Sequence, residues 1–161
     1  MSKSAPWFGG AVAIVLADQL TKWLILARFA PGERFELTSF FNLVLAFNKG
    51  AAFSFLAAEA GWQTPVLAAF ALGASLVVSV LLVRSPERRM LCAGLALILG
   101  GALGNLVDRL RFGQVVDFLD FHAAGWHWPA FNVADSAITI GAVLLILEGF
   151  VGREKRPDTA A

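Results

Sequence analysis

The sequence predicts a mainly α membrane protein, with four transmembrane helices and a small antiparallel β-sheet on the outer membrane face between helices 1 and 2. Composition is the first ground for this prediction. Of the 161 residues, 58% are hydrophobic and 16% are charged, whereas soluble proteins have about 45–50% apolar and about 25% charged residues. The mean hydropathy is +0.70. The other two grounds are four long apolar segments and a Phe-rich stretch after the first of them.

The four predicted spans cover residues 7–29, 64–83, 90–110 and 133–151. Each is close to the roughly 20 residues that a helix needs to cross a bilayer. Only the second span lacks ionisable residues. The first span follows Lys3 and could be a secretory signal peptide, but its apolar run resumes after DQLTK and completes a span. We therefore expect a single polytopic membrane domain over residues 1–161.

Net charge and cysteine content argue against two other classes of protein. The formal net charge is only +1, so we expect no nucleic-acid partner. The one cysteine, Cys92, lies in an apolar run, and it can form neither an internal disulfide nor a CxxC redox pair. Cys92 is therefore predicted to be a packing residue.

Basic residues near the span ends predict the orientation of the protein in the membrane. One set lies in the termini and the second connection: Lys3, Arg84, Arg88, Arg89, Arg153, Lys155 and Arg156. A smaller set lies near the first and third connections: Arg28, Arg34, Lys49, Arg109 and Arg111. The positive-inside rule then places both termini in the cytoplasm. The connections over residues 30–63 and 111–132 would lie on the outer face.

The first outer connection has the pattern of β-strands. Its sequence ERFELTSFFNLVLAFNKGAAFSFL is rich in Phe, Leu and Val and partly alternates apolar with polar residues. The glycine of NKG could take the left-handed position of a three-residue hairpin turn. We therefore predict a small β-region over residues 33–56, lying on the membrane surface.

Polar residues of the spans gather in the outer leaflet. They are Asp18 and Lys22 in the first span, Gly101, Asn105, Asp108 and Arg109 in the third, Asp117 just beyond it, and Asn132 and Asp135 at the start of the fourth. Asp18 and Lys22 are four residues apart, so they could form an ion pair on one helix face. Ionisable residues inside a membrane are costly and usually mark function. Only Glu148 lies near the inner end, so the cluster indicates a site and not a path across the membrane.

Each of these residues also has a structural interpretation. Asp135 or Ser136 could cap the fourth helix, as Asp often does before an apolar helical run. Asp120 could be a solvated loop charge. The remaining alternatives are a helix-end ion pair of Asp108 with Arg109, close helix packing at Gly100 and Gly104, and turn formation at Asn48 and Gly50.

Two aspartates are the reactive groups that the cluster offers. It contains no GxSxG or SxxK motif, and the two histidines, His122 and His127, do not form an HExxH zinc motif. Two carboxylates held close together do not both ionise readily, so one keeps a proton. The ionised carboxylate can activate water while the neutral one protonates the leaving nitrogen. This chemistry is amide hydrolysis, and it needs no metal or cofactor.

The motifs DQLTK, FNKGAAFSF, GGALGNLVDR, VVDFLDF and FNVADSA, in this order, resemble those of the bacterial lipoprotein signal peptidases, also called signal peptidase II. The resemblance implies an aspartyl endopeptidase with Asp117 and Asp135 as its catalytic dyad. The residues that it implies for substrate binding or site support are Asp18, Lys22, Asn48, Gly50, Gly101, Asn105, Asp108, Arg109, Asn132 and Ala134.

The resemblance also implies a substrate and a location. The substrate is a diacylglyceryl-modified prolipoprotein, cut on the amino side of the lipidated cysteine. The enzyme would be a multi-pass protein of the bacterial inner membrane, in contact with membrane lipid. Separately from the resemblance, we expect it to be a monomer. Its active site would lie near the outer face.

Two other functions are compatible with the composition. A small proton-coupled transporter could use Asp18, Asp117 and Asp135 as a relay, but it should have polar groups in both leaflets. A non-enzymatic scaffold could use the carboxylates only to cap helices and form ion pairs. In that case, Asp to Asn changes would be nearly silent.

Overall fold

Four helices and four strands make up the described part of the chain. The computed structural model describes residues 3–50 and 62–154, with side chains to residue 150. The elements, in order, are α1 (Ala5–Leu26), β1 (Arg34–Thr38), β2 (Phe41–Asn48), α2 (Gln63–Arg84), α3 (Arg89–Phe112), β3 (Val115–Ala123), β4 (Trp126–His127) and α4 (Val133–Glu154). Each helix is long and apolar enough to cross a membrane. The predicted mainly helical membrane fold is therefore confirmed.

Helix α3 is the centre of the bundle. It packs against α1, α2 and α4, and α1 also contacts α4. Apolar side chains on the other helices face outward, and that of Phe70 on α2 is 75% exposed. Outward-facing apolar residues suit a surrounding of lipid acyl chains, where a polar residue would be costly.

Glycines allow the helices to approach α3 closely. A Cβ atom at Gly100 would lie 2.7 Å from the carbonyl oxygen of Ala11 on α1. Where α3 crosses α4, a Cβ at Gly141 would lie 2.6 Å from the carbonyl oxygen of Gly94. These distances leave no room for a side chain, as in other close helix pairs that use small residues. The predicted packing role of Gly100 is thus confirmed.

The β-sheet is larger than predicted. Its strand order is β1-β2-β3-β4, and all neighbouring strands are antiparallel. Strands β3 and β4 come from the connection between α3 and α4, where the sequence analysis predicts no strand. An apolar cluster of Ile25, Leu45, Val116 and Phe118 packs the sheet against the end of α1. We call this end of the bundle the sheet end.

The sheet has a hairpin turn, between β1 and β2, that the sequence analysis does not predict. β1 ends at Thr38 and β2 begins at Phe41, so the hairpin turn precedes the long apolar strand. The NKG sequence follows β2, and the part of the predicted β-region beyond it, residues 51–56, lies outside the described residues. The predicted β-region is therefore described only as far as residue 50.

One extra residue in β2 changes which side of the sheet its side chains face. Leu43 pairs with Leu119, whereas Ala46 pairs with Asp117. The chain therefore advances three residues along β2, from Leu43 to Ala46, while it advances only two along β3, from Leu119 to Asp117. This is the arrangement of a β-bulge. Because a shift of one residue reverses the faces of a strand, Asn42 and Asn48 point to opposite sides of the sheet.

We predict that Gly141→Ala destabilises the protein, because the new methyl group would contact the backbone of Gly94 and the side chain of Ile98. Overpacking of this kind typically costs about 1–3 kcal/mol. Thermal unfolding in detergent micelles should show a lower midpoint than wild type. Gly149→Ala on the same helix is the control, since a Cβ there meets nothing within 4 Å. Equal midpoints for the two variants would contradict the tight crossing.

Candidate active site

A buried lysine lies at the sheet end, between α1 and α3. Lys22 is 2% exposed, and its Nζ lies 2.8 Å from Oδ2 of Asp18 and 2.8 Å from Oδ2 of Asp108. It also donates a hydrogen bond to Oδ1 of Asn105 at 2.9 Å. An ammonium group has three donors, and these three acceptors use all of them. The predicted Asp18–Lys22 ion pair is confirmed.

The ion pair that sequence reasoning offered for Asp108 is wrong. Asp108 pairs with Lys22 of another helix and not with the adjacent Arg109. Neighbouring residues on a helix point about 100° apart, so the Asp108 side chain faces α1 while that of Arg109 points elsewhere. The guanidinium of Arg109 instead donates to the carbonyl oxygen of Gly50 at 3.2 Å.

The two carboxylates around Lys22 also bind backbone N–H groups of the two elements that carry the candidate dyad. Oδ1 of Asp18 accepts a hydrogen bond from the backbone N–H of Ala134 at 2.9 Å, in the first turn of α4. Oδ2 of Asp108 accepts one from the backbone N–H of Val116 at 3.0 Å, at the start of β3. The ionic group therefore fixes α4 next to Asp135 and β3 next to Asp117.

Two glycines of α3 make room for these contacts. A Cβ at Gly101 would lie 2.4 Å from the carbonyl oxygen of Ala134, and one at Gly104 would lie 2.7 Å from Oδ2 of Asp18. Ala134 itself is fully buried. The sequence singled out Gly101 and Ala134 as site residues, and both lie where α4 meets the ionic group.

Asparagine side chains connect Asp117 and Asp135. Nδ2 of Asn132 donates to Oδ1 of Asp117 at 2.7 Å, and Oδ1 of Asn132 accepts from the backbone N–H of Asp135 at 2.9 Å. Nδ2 of Asn105 donates to Oδ1 of Asp135 at 2.7 Å. Nδ2 of Asn48 donates to the other oxygen of Asp117 at 3.2 Å. The structure thus brings both predicted aspartates into one hydrogen-bonded group.

Asn132 caps α4, so the alternative interpretation in which Asp135 or Ser136 caps this helix is wrong. Asn132 immediately precedes the helix, and its side-chain oxygen binds the N–H three residues later, as an N-cap does. Ser136 instead donates its hydroxyl to the carbonyl oxygen of Asn132 at 2.9 Å. Because another residue caps the helix, the carboxylate of Asp135 is free for a different role.

Asn48 is a turn residue and also contacts the candidate dyad. Its Oδ1 accepts a hydrogen bond from the backbone N–H of Gly50 at 2.9 Å, which closes a turn at the end of β2. That bond orients the amide so that its Nδ2 points to Asp117. The β-bulge places Asn48 on the same side of the sheet as Asp117.

The surroundings of Asp117 favour its neutral form. The side chain is 2% exposed. Burial, and then the charge of nearby Asp135, raise the pKa of Asp117 from 3.8 to about 7, although hydrogen bonds from Asn48 and Asn132 act in the opposite direction. A carboxylic acid with this pKa can hold and give up a proton near neutral pH, as a general acid must.

Asp120 is not the solvated loop charge that was offered as an alternative. It lies on β3, is 4% exposed, and accepts hydrogen bonds from Asn42 and His127.

The rings of His122 and His127 stack with centroids 4.9 Å apart. In the described ranges 3–50 and 62–154, no group of three or more His, Cys, Asp or Glu residues could hold a metal ion.

The remaining intramembrane carboxylate, Glu148, has a structural partner at the opposite end of the bundle. Arg88 donates to its two oxygens at 3.0 and 2.6 Å. This pair joins the start of α3 to α4. It does not extend the polar group around Lys22 along the bundle.

Comparison with known proteins identifies the family. Residues 10–151 match the family model described as Signal peptidase (SPase) II. The chain belongs to the signal peptidase II family. It is 58% identical over 144 residues to the lipoprotein signal peptidases of Paraburkholderia phytofirmans and Burkholderia vietnamiensis, covering 89% of this chain and 84% and 87% of theirs.

Solved structures agree with this assignment. The fold matches a bacterial membrane enzyme solved by the in meso method at 2.3 Å resolution, with a TM-score of 0.85 and 28% identity over 98% of this chain and 94% of that one. A second such enzyme, solved at 1.9 Å, matches with a TM-score of 0.76 and 30% identity over 89% and 91% of the two chains. Membership of the signal peptidase II family makes this chain an aspartic-type peptidase and a multi-pass protein of the bacterial inner membrane.

Sequence reasoning missed two residues of the candidate site. Nε2 of Gln19 donates to Oδ1 of Asp108 at 2.8 Å and lies 3.2 Å from the carbonyl oxygen of Gly104. Gln19 directly follows Asp18, so its place in DQLTK was the available signal. The sequence indicates only a packing role for Gly104, yet its missing side chain also leaves space for the Asp18 carboxylate.

We predict that Lys22→Met lowers the stability of the folded protein substantially. The variant would leave Asp18 and Asp108 buried without their shared cation, and breaking a buried ion pair in this way typically costs about 3–5 kcal/mol. The measurement is the thermal unfolding midpoint in detergent micelles. Lys3→Met is the control, because the Lys3–Glu87 ion pair is exposed and such pairs contribute little. A Lys22→Met midpoint equal to that of Lys3→Met would show that the cation is dispensable.

Proposed function

We propose that this protein removes the signal peptide from diacylglyceryl-modified prolipoproteins, cutting on the amino side of the lipidated cysteine, with Asp117 and Asp135 as the catalytic dyad. Prolipoproteins are the substrate class indicated by the lipoprotein signal peptidases that it matches. The observation that carries the choice of residues is the link through Asn132, whose amide donates to Asp117 and whose oxygen holds the backbone of Asp135.

Different roles for the two carboxyl groups follow from their surroundings. Asp117, whose pKa is raised to about 7, acts as the general acid, and in its protonated form it hydrogen-bonds the scissile carbonyl oxygen. Asp135, as the carboxylate, takes a proton from water while the water oxygen attacks the carbonyl carbon. Asp117 then gives its proton to the cysteine nitrogen as the C–N bond breaks. The products are a peptide carboxylate and a free amino group on the lipidated cysteine.

The supporting residues have distinct proposed roles. Asn48, Asn105 and Asn132 orient the dyad through the hydrogen bonds described above. Arg109 and Gly50, joined by a hydrogen bond, form one side of the site and help to hold the substrate. Close packing and the ionic anchor come from Asp18, Lys22, Gly101, Asp108 and Ala134.

The proposed reaction fits a site at the sheet end, on the outer face of the membrane. A diacylglyceryl group keeps its acyl chains in the bilayer, so the adjacent peptide bond must be cut close to the membrane surface. Exposed Phe35 and Phe40 on the β1–β2 hairpin suit the interfacial region, where aromatic side chains are common. We also propose that the protein acts as a monomer, since the dyad and its asparagines belong to one chain.

The transporter and scaffold hypotheses receive less support. A proton relay across the membrane needs titratable groups along the bundle. Glu148 lies near the opposite end of α4 from Asp135, and Arg88 donates to both of its oxygens. A scaffold in which Asp135 only caps a helix conflicts with the cap formed by Asn132.

We predict that Asp117→Asn and Asp135→Asn each reduce cleavage at least about 100-fold, the lower end of the effect of a positioned general acid or base. Purified protein in micelles would be given a diacylglyceryl-modified prolipoprotein and its unlipidated precursor, and product masses would locate the cut. Wild type should cut only the lipidated form. Its rate should fall as pH rises through about 7, because Asp117 then loses its proton.

The control for this experiment is Glu36→Gln, which neutralises an exposed carboxylate on β1 and should cleave like wild type. Thermal unfolding should show that both dyad variants are folded. If either folded dyad variant retains wild-type activity, or if wild type does not cleave the lipidated substrate, the proposed function is wrong.

We predict that Ser39→Cys is labelled by a membrane-impermeant maleimide in intact spheroplasts, whereas Glu87→Cys is labelled only after lysis. Both positions are exposed, one at the sheet end and one in the α2–α3 connection. A Cys92→Ala background removes the single native thiol. Mass shifts of the purified protein report the labelling. The opposite pattern would place the sheet end in the cytoplasm and overturn the proposed orientation.

A further inference from the structure

A second buried aspartate lies on β3 and is contacted from every other strand of the sheet. Asp120 accepts hydrogen bonds from Nδ2 of Asn42 on β2 at 2.8 Å and from Nδ1 of His127 on β4 at 2.8 Å. Nε of Arg34 on β1 lies 3.7 Å from the same carboxylate. No part of the mechanism proposed above uses this group.

We propose that Asp120 is a positioning residue for the cleavage reaction, which fixes the strand that carries Asp117 and the segment that leads to Asn132. This inference rests on the proposed function, because it assumes that Asp117 acts on the substrate. Asp120 itself does not touch the reacting atoms. It is three residues from Asp117, so the two side chains point to opposite faces of β3.

The partner of Asp120 on β2 depends on it. The side chain of Asn42 is 1% exposed, and its Oδ1 has no hydrogen-bond partner among the residues that the structure describes. Among the described residues, the side-chain amide of Asn42 therefore forms a hydrogen bond only with Asp120. A buried amide that loses its last partner is costly, so the pair holds β2 and β3 in one register.

That register matters on the opposite side of the sheet. Asn42 pairs with Asp120 before the β-bulge, and Asn48 lies after it on the face of Asp117. Moving β2 relative to β3 would separate Nδ2 of Asn48 from Oδ2 of Asp117, which are 3.2 Å apart. The Asp120–Asn42 hydrogen bond thus sets the position of a donor to the candidate general acid.

His127 extends the effect to the other half of the dyad. It lies on β4, in the chain segment that returns from β3 to the N-cap of α4. After β4, the backbone of Phe131 bonds to β3, with its carbonyl oxygen accepting from the N–H groups of Phe118 and Leu119 at 3.0 and 2.8 Å. Asp120 and Phe131 together hold this returning segment against β3, directly before Asn132.

The carboxylate form of Asp120 suits this role. Burial acts to raise its pKa, but hydrogen bonds from Asn42 and His127, and then the charges of His127 and Arg34, lower it overall. An ionised carboxylate accepts hydrogen bonds only, and its described neighbours are all donors. An asparagine at position 120 would instead turn its NH₂ group toward one of these donors, and that hydrogen bond would be lost.

The experiment measures kcat and KM with a diacylglyceryl-modified prolipoprotein, as a function of pH, for Asp120→Asn, Asn42→Asp and the double variant. Rates are expressed per folded enzyme, from the unfolding transition of each sample. In the double variant, the amide at position 120 can donate to the carboxylate at position 42 and accept from His127. Glu36→Gln is the control for loss of a carboxylate from the sheet.

We expect kcat of Asp120→Asn to fall about tenfold, since small misplacement of a reacting group is costly, with KM within about twofold of wild type. The decline of activity near pH 7 should move to higher pH, because weaker donation from Asn48 favours the neutral form of Asp117. The double variant should recover most of the lost kcat.

A purely structural role predicts a different result. It would lower the amount of folded protein and leave kcat per folded enzyme and the pH profile unchanged. That result, or a double variant no better than Asp120→Asn, would overturn the inference. Asp117→Asn is assayed in parallel. If it cleaves like wild type, the proposed function fails. If it is inactive while Asp120→Asn matches wild type, only the positioning role fails.

Discussion

The rest of the site depends on the ion pairs of the buried Lys22 ammonium group with Asp18 and Asp108. A buried charge is tolerated only when it is paired and fully hydrogen-bonded, and Lys22 meets this condition with two carboxylates and one amide. Both carboxylates have a second oxygen or lone pair left over. They use it to bind the first turn of α4 and the start of β3. One cation thereby organises three helices and a strand around the position where the two candidate catalytic aspartates meet.

Around this ionic group, asparagine side chains position the two candidate catalytic aspartates. Asn132 caps α4 and binds Asp117, while Asn105 binds both Lys22 and Asp135. An amide offers a donor and an acceptor without adding charge, so these residues link the ionic group to the dyad without repelling either carboxylate. Asp117 and Asp135 are the titratable groups of this arrangement, as the proposed acid–base chemistry requires.

Much of this could be predicted from the sequence, because hydropathy and motif order are local properties. The four helices, the Asp18–Lys22 pair four residues apart and the dyad positions all have local signals. The remaining features depend on long-range contacts. Nothing near Asp120 in the sequence indicates that Asn42 and His127 would bury it. Nor could spacing show that a strand after α3 would join the sheet, or that Asn132 and not its acidic neighbour would cap α4.

The hydrogen bond between Asp18 and Ala134 joins residues 116 positions apart, and it has a consequence for the synthesis of the protein. Helix α1 carries half of the ionic anchor, but the backbone that it binds belongs to α4, which is synthesised after the other three helices. A chain that has synthesised α1, α2, α3 and β3 therefore has Lys22, its two carboxylates and Asp117, but it lacks Asp135 of the candidate dyad. The contact between α1 and α4, and with it the candidate dyad, can therefore form only after α4 has entered the membrane.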